Sequence, residues 1–261
     1  MIVSQPVLTL FVLGSRGNMS ESIKKIDVST AIAVLMASAL LFAGVVGYYN
    51  NGYNAYAQDS SSNNSKLLDD VQVTKPSPQL TARWWQWALS FPVDENPITD
   101  TTGEQCSKGD LGDIFFLAGS AGGKVKRECT ISEGQAILIP IVNAVCVKTE
   151  EEETEESLLA QCREFIDQQK NLKLIIDGEK VRNLESYRVT NPSFFTVELP
   201  ENNLFGAPAG SYDAVADGYW ALIEGLSAGE HTITVVGKLH GQTSFGKVDF
   251  KVEATYHLTV E

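Results

Sequence analysis

The chain has 261 residues, 43% of them hydrophobic and 20% charged, which is enough for a packed core and excludes wholesale disorder. Its 33 acidic residues against 20 basic ones give a net charge of −13, which argues against a sequence-independent grip on nucleic acid or on anionic lipid. Three histidines and four cysteines leave few ligands for a zinc or copper centre.

The N-terminal part has the pattern of a targeting segment. Val28 to Gly47 is a run of 20 residues without a charge, about the length that crosses a bilayer core as a helix. Lys24 and Lys25 precede it, which puts the N-terminus inside and the remainder outside. Ala55-Tyr56-Ala57 is an A-x-A cleavage signature with Gln58 as the first mature residue. Residues 1–57 are therefore expected to be a leader or signal peptide. The alternative is an uncleaved single-pass anchor, touching the membrane only through residues 28–47. A start at Met19 instead of Met1 yields the ordinary order of short polar segment, lysines, apolar run and small-residue site. Either way the globular part is extracytoplasmic, secreted or anchored to the cell membrane. The acidity belongs to it, since residues 1–57 hold three bases and two acids.

Residues 58–76 include QDSSSNNS and are expected to be a flexible polar tether, with a glycosylation sequon at Asn63. Leu80, Trp84, Trp87 and Phe91 then recur on one helical face. Ser77 is placed to cap that helix, Pro78 suits its first turn and Pro92 ends it. Trp85 lies about 100° from Trp84 and is expected on a flank. Short apolar runs follow at Ile114–Ala118 and Gln135–Val142, the second with Pro140 marking an edge or bulge. Gly119–Lys124 lacks the end of a phosphate-binding frame and is expected to be a flexible hairpin loop. Thr149–Gln169 predicts the second helix, with its first turns crowded by Glu150–Glu153, Glu155 and Glu156, where the helix dipole favours negative charge.

Asp177-Gly178 within LKLIIDGEKV predicts a tight hairpin, because such turns need positive φ. Phe194–Leu199 and Tyr219–Ile223 are strand-like, and His231–His240 alternates. Val248–Val260 alternates over thirteen residues, a long strand expected to bend between sheets. The whole predicts a mainly β protein. Residues 77–261 form a single disulfide-stapled domain, an antiparallel β-sandwich of jelly-roll or Ig-like type with two short helical insertions, preceded by the N-terminal apolar helix.

Cys106, Cys129, Cys146 and Cys162 all lie in the exported part, where disulfides are the default. Of the three possible pairings, the sequential one, Cys106–Cys129 and Cys146–Cys162, closes the shortest loops. Spacings of 23, 17 and 16 fit no zinc pattern.

The strings WWQWALSFP, NPITDTTGEQC, IFFLAG, RECTISEGQAILIPIVN, DGEKVRNLESYRV, DGYWALIEGLSAGEHTI and TYHLTV, in this order over most of residues 80–260, resemble a family of secreted prokaryotic proteins of unknown function. The resemblance implies export and two cysteine pairs. It implies no catalytic residue.

Candidate chemistry is sparse. Trp85, beside Trp84 and Trp87, is the one candidate for a platform that stacks on sugar rings, against the plainer expectation that the tryptophans are core. Asp94, Asn96 and Asp100 offer hard oxygen ligands for calcium, although Ile98 stands where a third ligand of a calcium loop belongs. His231 and His257 can act as ligand-binding groups or bases if neighbouring strands bring them together. No serine or cysteine stands in a nucleophile motif. The expected function is a non-catalytic extracytoplasmic binding or interaction module, whose partner is an envelope protein or a glycan and not nucleic acid, with no cofactor beyond a possible Ca2+. The alternative is an extracytoplasmic hydrolase that uses a carboxylate cluster, assisted by calcium or not.

Overall fold

The computed structural model describes residues 11–13 and 71–261. The apolar run Val28–Gly47, Met19, the Ala55–Ala57 signature and the Asn63 sequon lie outside the described residues. Among the described residues no helix is long and apolar enough to cross a membrane.

The elements, in chain order, are β1 (Phe11–Leu13), β2 (Gln72–Thr74), α1 (Pro78–Leu89), β3 (Ile114–Phe116), β4 (Gly123–Ile131), β5 (Ala136–Val147), α2 (Glu155–Ile166), β6 (Gln169–Ile176), β7 (Glu179–Lys180), β8 (Arg188–Leu199), β9 (Gly210–Glu224), β10 (Gly229–Thr243) and β11 (Gly246–Val260). The strands form two open sheets. The first runs β1-β5-β9-β2, with β3 also on β5 and β8 also on β9; the second runs β4-β11-β10-β6-β7.

Both sheets are mixed, which corrects the expected antiparallel pattern. β3 runs parallel to β5 and β4 parallel to β11. The reason is topological: after β3 the chain crosses to the second sheet as β4 and returns to the first as β5. A strand in the other layer thus supplies the crossover that parallel neighbours require.

One hydrophobic cluster joins the sheets, with Ile137, Ile139, Val215 and Ile223 from the first and Leu174, Ile233, Val235 and Tyr256 from the second. A glycine permits the close approach: a Cβ on Gly237 of β10 would stand 2.6 Å from the Ile141 carbonyl oxygen of β5. A second cluster lies on the other face of the first sheet, under α1, and gathers Trp84, Trp85 and Trp87 with Trp220, Val197 and Leu199.

α1 begins where the sequence places it. Ser77 accepts the Leu80 amide and proline opens the first turn. α2 is shorter than the acidic run suggests. Thr154 caps it through the Ser157 amide while the Ser157 hydroxyl accepts the Thr154 amide, so the helix starts after Glu150–Glu153. Both disulfides pair sequentially: Cys106–Cys129 ties a short turn to β4, and Cys146–Cys162 pins α2 to β5.

The Asp177-Gly178 turn has positive φ at both residues, 49° and 87°, and joins β6 to β7. Pro140 marks a register shift between β5 and β9, the bulge its missing N–H invites. β11 does not bend between sheets; all fifteen of its residues pair with β10. Gly119–Lys124 is not wholly a loop, since Gly123 and Lys124 open β4. Gln72–Thr74, within the expected tether, pairs with Leu222–Glu224 of β9, and the Tyr187 hydroxyl donates to the Val73 carbonyl at 2.9 Å.

Candidate functional site

β4 hides behind an unusual inward residue. Its buried phase is Val125, Arg127, Cys129 and Ile131, and Arg127 is 1% exposed. Among the described residues no carboxylate pairs with the guanidinium. It donates to the carbonyls of Asp100 at 2.6 and 2.9 Å, Gly119 at 2.9 Å, Ala118 and Ile98. The Tyr256 ring lies 5.8 Å from it, and the Tyr256 hydroxyl shares the Ala118 carbonyl. Several carbonyl dipoles converge on the buried guanidinium and replace the water it gives up. The cradle fixes two loops against β4 and turns Lys124, Lys126, Glu128 and Thr130 outward.

That outward phase builds a groove. The parallel register sets Glu128 beside His257 and Thr130 beside Thr259. On the far side of β11, the antiparallel register sets Thr232 opposite His257 and Glu230 opposite Thr259. Lys126, Glu128, Cys129, Thr130, Glu230, His257 and Thr259 line an open polar depression of about 490 Å³. Its size falls in the range of small-ligand sites, about 300–1,000 Å³, although its lining is polar where those are mostly apolar. The Thr259 hydroxyl donates to Glu230 at 3.0 Å. The groove thus offers two carboxylates, an ammonium, an imidazole and two hydroxyls, a donor and acceptor set suited to a polar ligand. Among the described residues no group of three or more His, Cys, Asp or Glu is placed to hold a metal.

His257 is the one sequence-proposed residue in this groove. His231 is not brought to it. It pairs with Leu258 and shares the inward phase of Ile233, whereas His257 faces out. Its Nδ1 lies 2.7 Å from an Asp177 carboxylate oxygen and its Nε2 2.9 Å from the Ser227 carbonyl, two acceptors that together suit a doubly protonated ring. Burial pushes the imidazole pKa down, but the hydrogen bonds to Asp177 and Ser227 and the charges of Asp177 and Glu230 outweigh it, and the pKa is raised. The other Asp177 oxygen accepts the Thr232 amide, so the three residues clasp the β6–β7 turn to the start of β10.

Trp85 is 0% exposed and presents no ring to a ligand. It meets Trp84 and Trp220 edge-on at 5.0 and 6.3 Å, and all four tryptophans of the chain belong to this one cluster. Its flank of the helix is covered, because Leu204, Phe205 and Ala207 from the loop after β8 pack against the same cluster.

The oxygens of the calcium candidates are largely spent on the protein. Asn96 accepts the Ile98 amide and donates to the Ala88 carbonyl, which is an Asx turn with a tail. Asp100 accepts the amides of Thr102, Gly103 and Gln105. Burial raises its pKa, but these amides and the Thr102 hydroxyl outweigh that, and the pKa is lowered. Asp94 accepts from Asn202 at 3.3 Å.

Lys126, Glu128, Glu230 and Thr259 escaped the sequence reading. For Lys126 and Glu128 the strict alternation of KVKRECTI is the available signal, obscured by Arg127 in the apolar phase; Glu230 and Thr259 join them only through the strand pairing. No family model, curated protein or solved structure matches the chain, so the site rests on geometry alone.

Proposed function

We propose that the protein is a non-catalytic extracytoplasmic binding module, secreted or held at the cell membrane by residues 28–47, that takes a polar ligand in the groove around His257. On this reading residues 77–261 are one disulfide-stapled domain, a β-sandwich of jelly-roll or Ig-like type preceded by an apolar N-terminal helix. The ligand is a component of the cell envelope, a glycan or a protein. The observation that carries the reading is an open depression lined by hydrogen-bonding groups on the outer face of the second sheet. Paired cysteines support the extracytoplasmic part.

The test is calorimetric titration with neutral and acidic oligosaccharides of the wild-type protein and of Glu230→Gln and His257→Ala. Binding by the wild type that weakens about tenfold or more, some 1.4 kcal/mol, in the variants is the expected result. Binding untouched by both substitutions would overturn the reading.

Glu128 on β4 and Glu230 on β10 flank His257 on β11, which favours a second reading: an extracytoplasmic hydrolase using that carboxylate pair. Turnover of a nitrophenyl glycoside or ester that is abolished by Glu128→Gln would replace the first reading with this one. Calcium assistance requires a rise in melting temperature with added calcium that a chelator reverses.

A further inference from the structure

We propose that the exposed face of the second sheet carries an elongated site for an acidic polysaccharide, running across the strands from the His257 groove; this deepens the binding-module reading and rests on it.

The outward phases of four adjacent strands bring together Lys124 and Lys126 of β4, Lys251 of β11, Lys238 of β10 and Lys173 of β6, with Glu253 among them and Asp249 and Glu128 at their margins. The registers arrange them in rows: Lys124, Glu253, Val236 and Lys173 in one, and Lys251, Lys238 and Asn171 in the next. Three steps of about 4.8 Å make the band roughly 14 Å wide.

Two features separate this band from an ordinary solvated face. Lys251 and Lys238 stand directly opposite each other, and like charges at such a position destabilise a strand pair. Neighbouring carboxylates answer only part of the band, with Asp249, two residues from Lys251 on β11, close enough to act on Lys238 through space. Lys124 and Lys251 share Glu253 at 2.8 and 3.2 Å, while among the described residues Lys126, Lys173 and Lys238 make no ion pair. In a chain with 33 acids against 20 bases, such a patch offers anions a local attractive field.

The character of the face selects the occupant. A protein partner is held through large apolar or aromatic anchors, and the one large hydrophobic side chain exposed among the described residues is Leu111, which lies on none of these four strands. Single-stranded nucleic acid needs aromatic faces for its bases, and every tryptophan is in the buried cluster. What the face does offer is ammonium groups interleaved with hydroxyls, namely Thr130, Thr232, Thr234, Thr255 and Thr259. This set matches a chain that carries both anionic groups and hydroxyls. Lys126 belongs to both regions and links the band to the groove. Glu128 and Glu230 at the groove end repel anions and direct hydroxyl-bearing units there.

The experiment titrates the full chain with polygalacturonate, neutral dextran, poly-L-glutamate and duplex DNA at two salt concentrations, and repeats the series with a Lys238→Gln, Lys251→Gln double variant. The expected result is binding of polygalacturonate that falls with salt and weakens about threefold to tenfold in the double variant, as partly screened surface charges allow. The variant should melt no lower than wild type, because the substitutions remove a repulsive pair. Polygalacturonate binding that ignores the lysines, or tighter binding of poly-L-glutamate or DNA, would overturn the proposal. Dextran binding that responds to His257→Ala but not to the lysines would overturn it while leaving the binding module standing. No binding to any probe would sink both.

Discussion

The two sheets of this protein share a core yet differ in what their other faces do. The first is covered on both sides. β5 is buried along almost its whole length, β9 is buried continuously from Ala214 to Ala221, and the tryptophan cluster under α1 fills the outer side. In the second, every strand with a regular pattern alternates between core and solvent. A strand buried on both faces can hold few chemically versatile side chains, because each unpaired polar group there destabilises the fold. An alternating strand keeps half its positions free for recognition. The difference teaches where to look for function: chemistry-bearing residues in the first sheet serve the fold, and those in the second face outward.

The contrast can be broken most forcefully at the tryptophans. Trp84 is 1% exposed, donates to the Leu117 carbonyl at 3.0 Å and touches three other indoles edge-on. Trp84→Ala is expected to lower unfolding free energy by about 4 kcal/mol. On the outer face of the second sheet, Thr255→Ala should change it by less than about 0.5 kcal/mol. Denaturant unfolding of both variants decides; equal effects would erase the distinction between the sheets.

Next in size is the charge inside the first sheet. Asp217 of β9 is 0% exposed and meets Arg188 through both oxygens, while Arg188 also reaches Asp167 at the end of α2 and the Thr190 hydroxyl donates to Asp217. Burial lowers the Arg188 pKa, but the two carboxylates outweigh it and the net shift is upward, so the guanidinium stays charged. Asp217→Asn leaves that charge half-buried with only Asp167 to answer it, and should destabilise by about 3 kcal/mol. A loss below 1 kcal/mol in the same unfolding assay would contradict a structural role for the pair.

A smaller effect belongs to the edge of the second sheet. His231 has its pKa raised above 6.5, so the clasp to Asp177 is at full strength below pH 6.5 and weakens as pH rises through the raised value. Its contribution, discounted for solvent, is about 0.5 kcal/mol. Melting of wild type should fall between pH 6 and pH 8.5 by more than that of His231→Asn; parallel curves would show that the histidine bears no charge-dependent load.

Much of the second sheet was readable in advance because alternation survives in the sequence. β10, β11 and the Asp177-Gly178 turn all announce themselves. The Cys146–Cys162 loop and the Ser77 cap were legible for similarly local reasons. β4 was not, because its core phase holds Arg127, whose burial depends on carbonyls from residues 98–100 and 118–119 that only the fold assembles. The groove was lost with it, since Glu128 and Glu230 lie about 100 positions apart and meet through β11. The depth of Trp85 is hard to read for the opposite reason. Helical periodicity describes one partner face, and the loop after β8 supplies a second.

The central claim, that recognition occurs on the outer face of the second sheet, is most directly tested by mapping backbone amide shifts during titration with polygalacturonate. Changes confined to β4, β10, β11 and β6, centred on Lys126, Lys238, Lys251 and His257, are the result this account requires. Saturable changes that instead gather on α1, or on the loop between β8 and β9, with the second sheet silent, would contradict it.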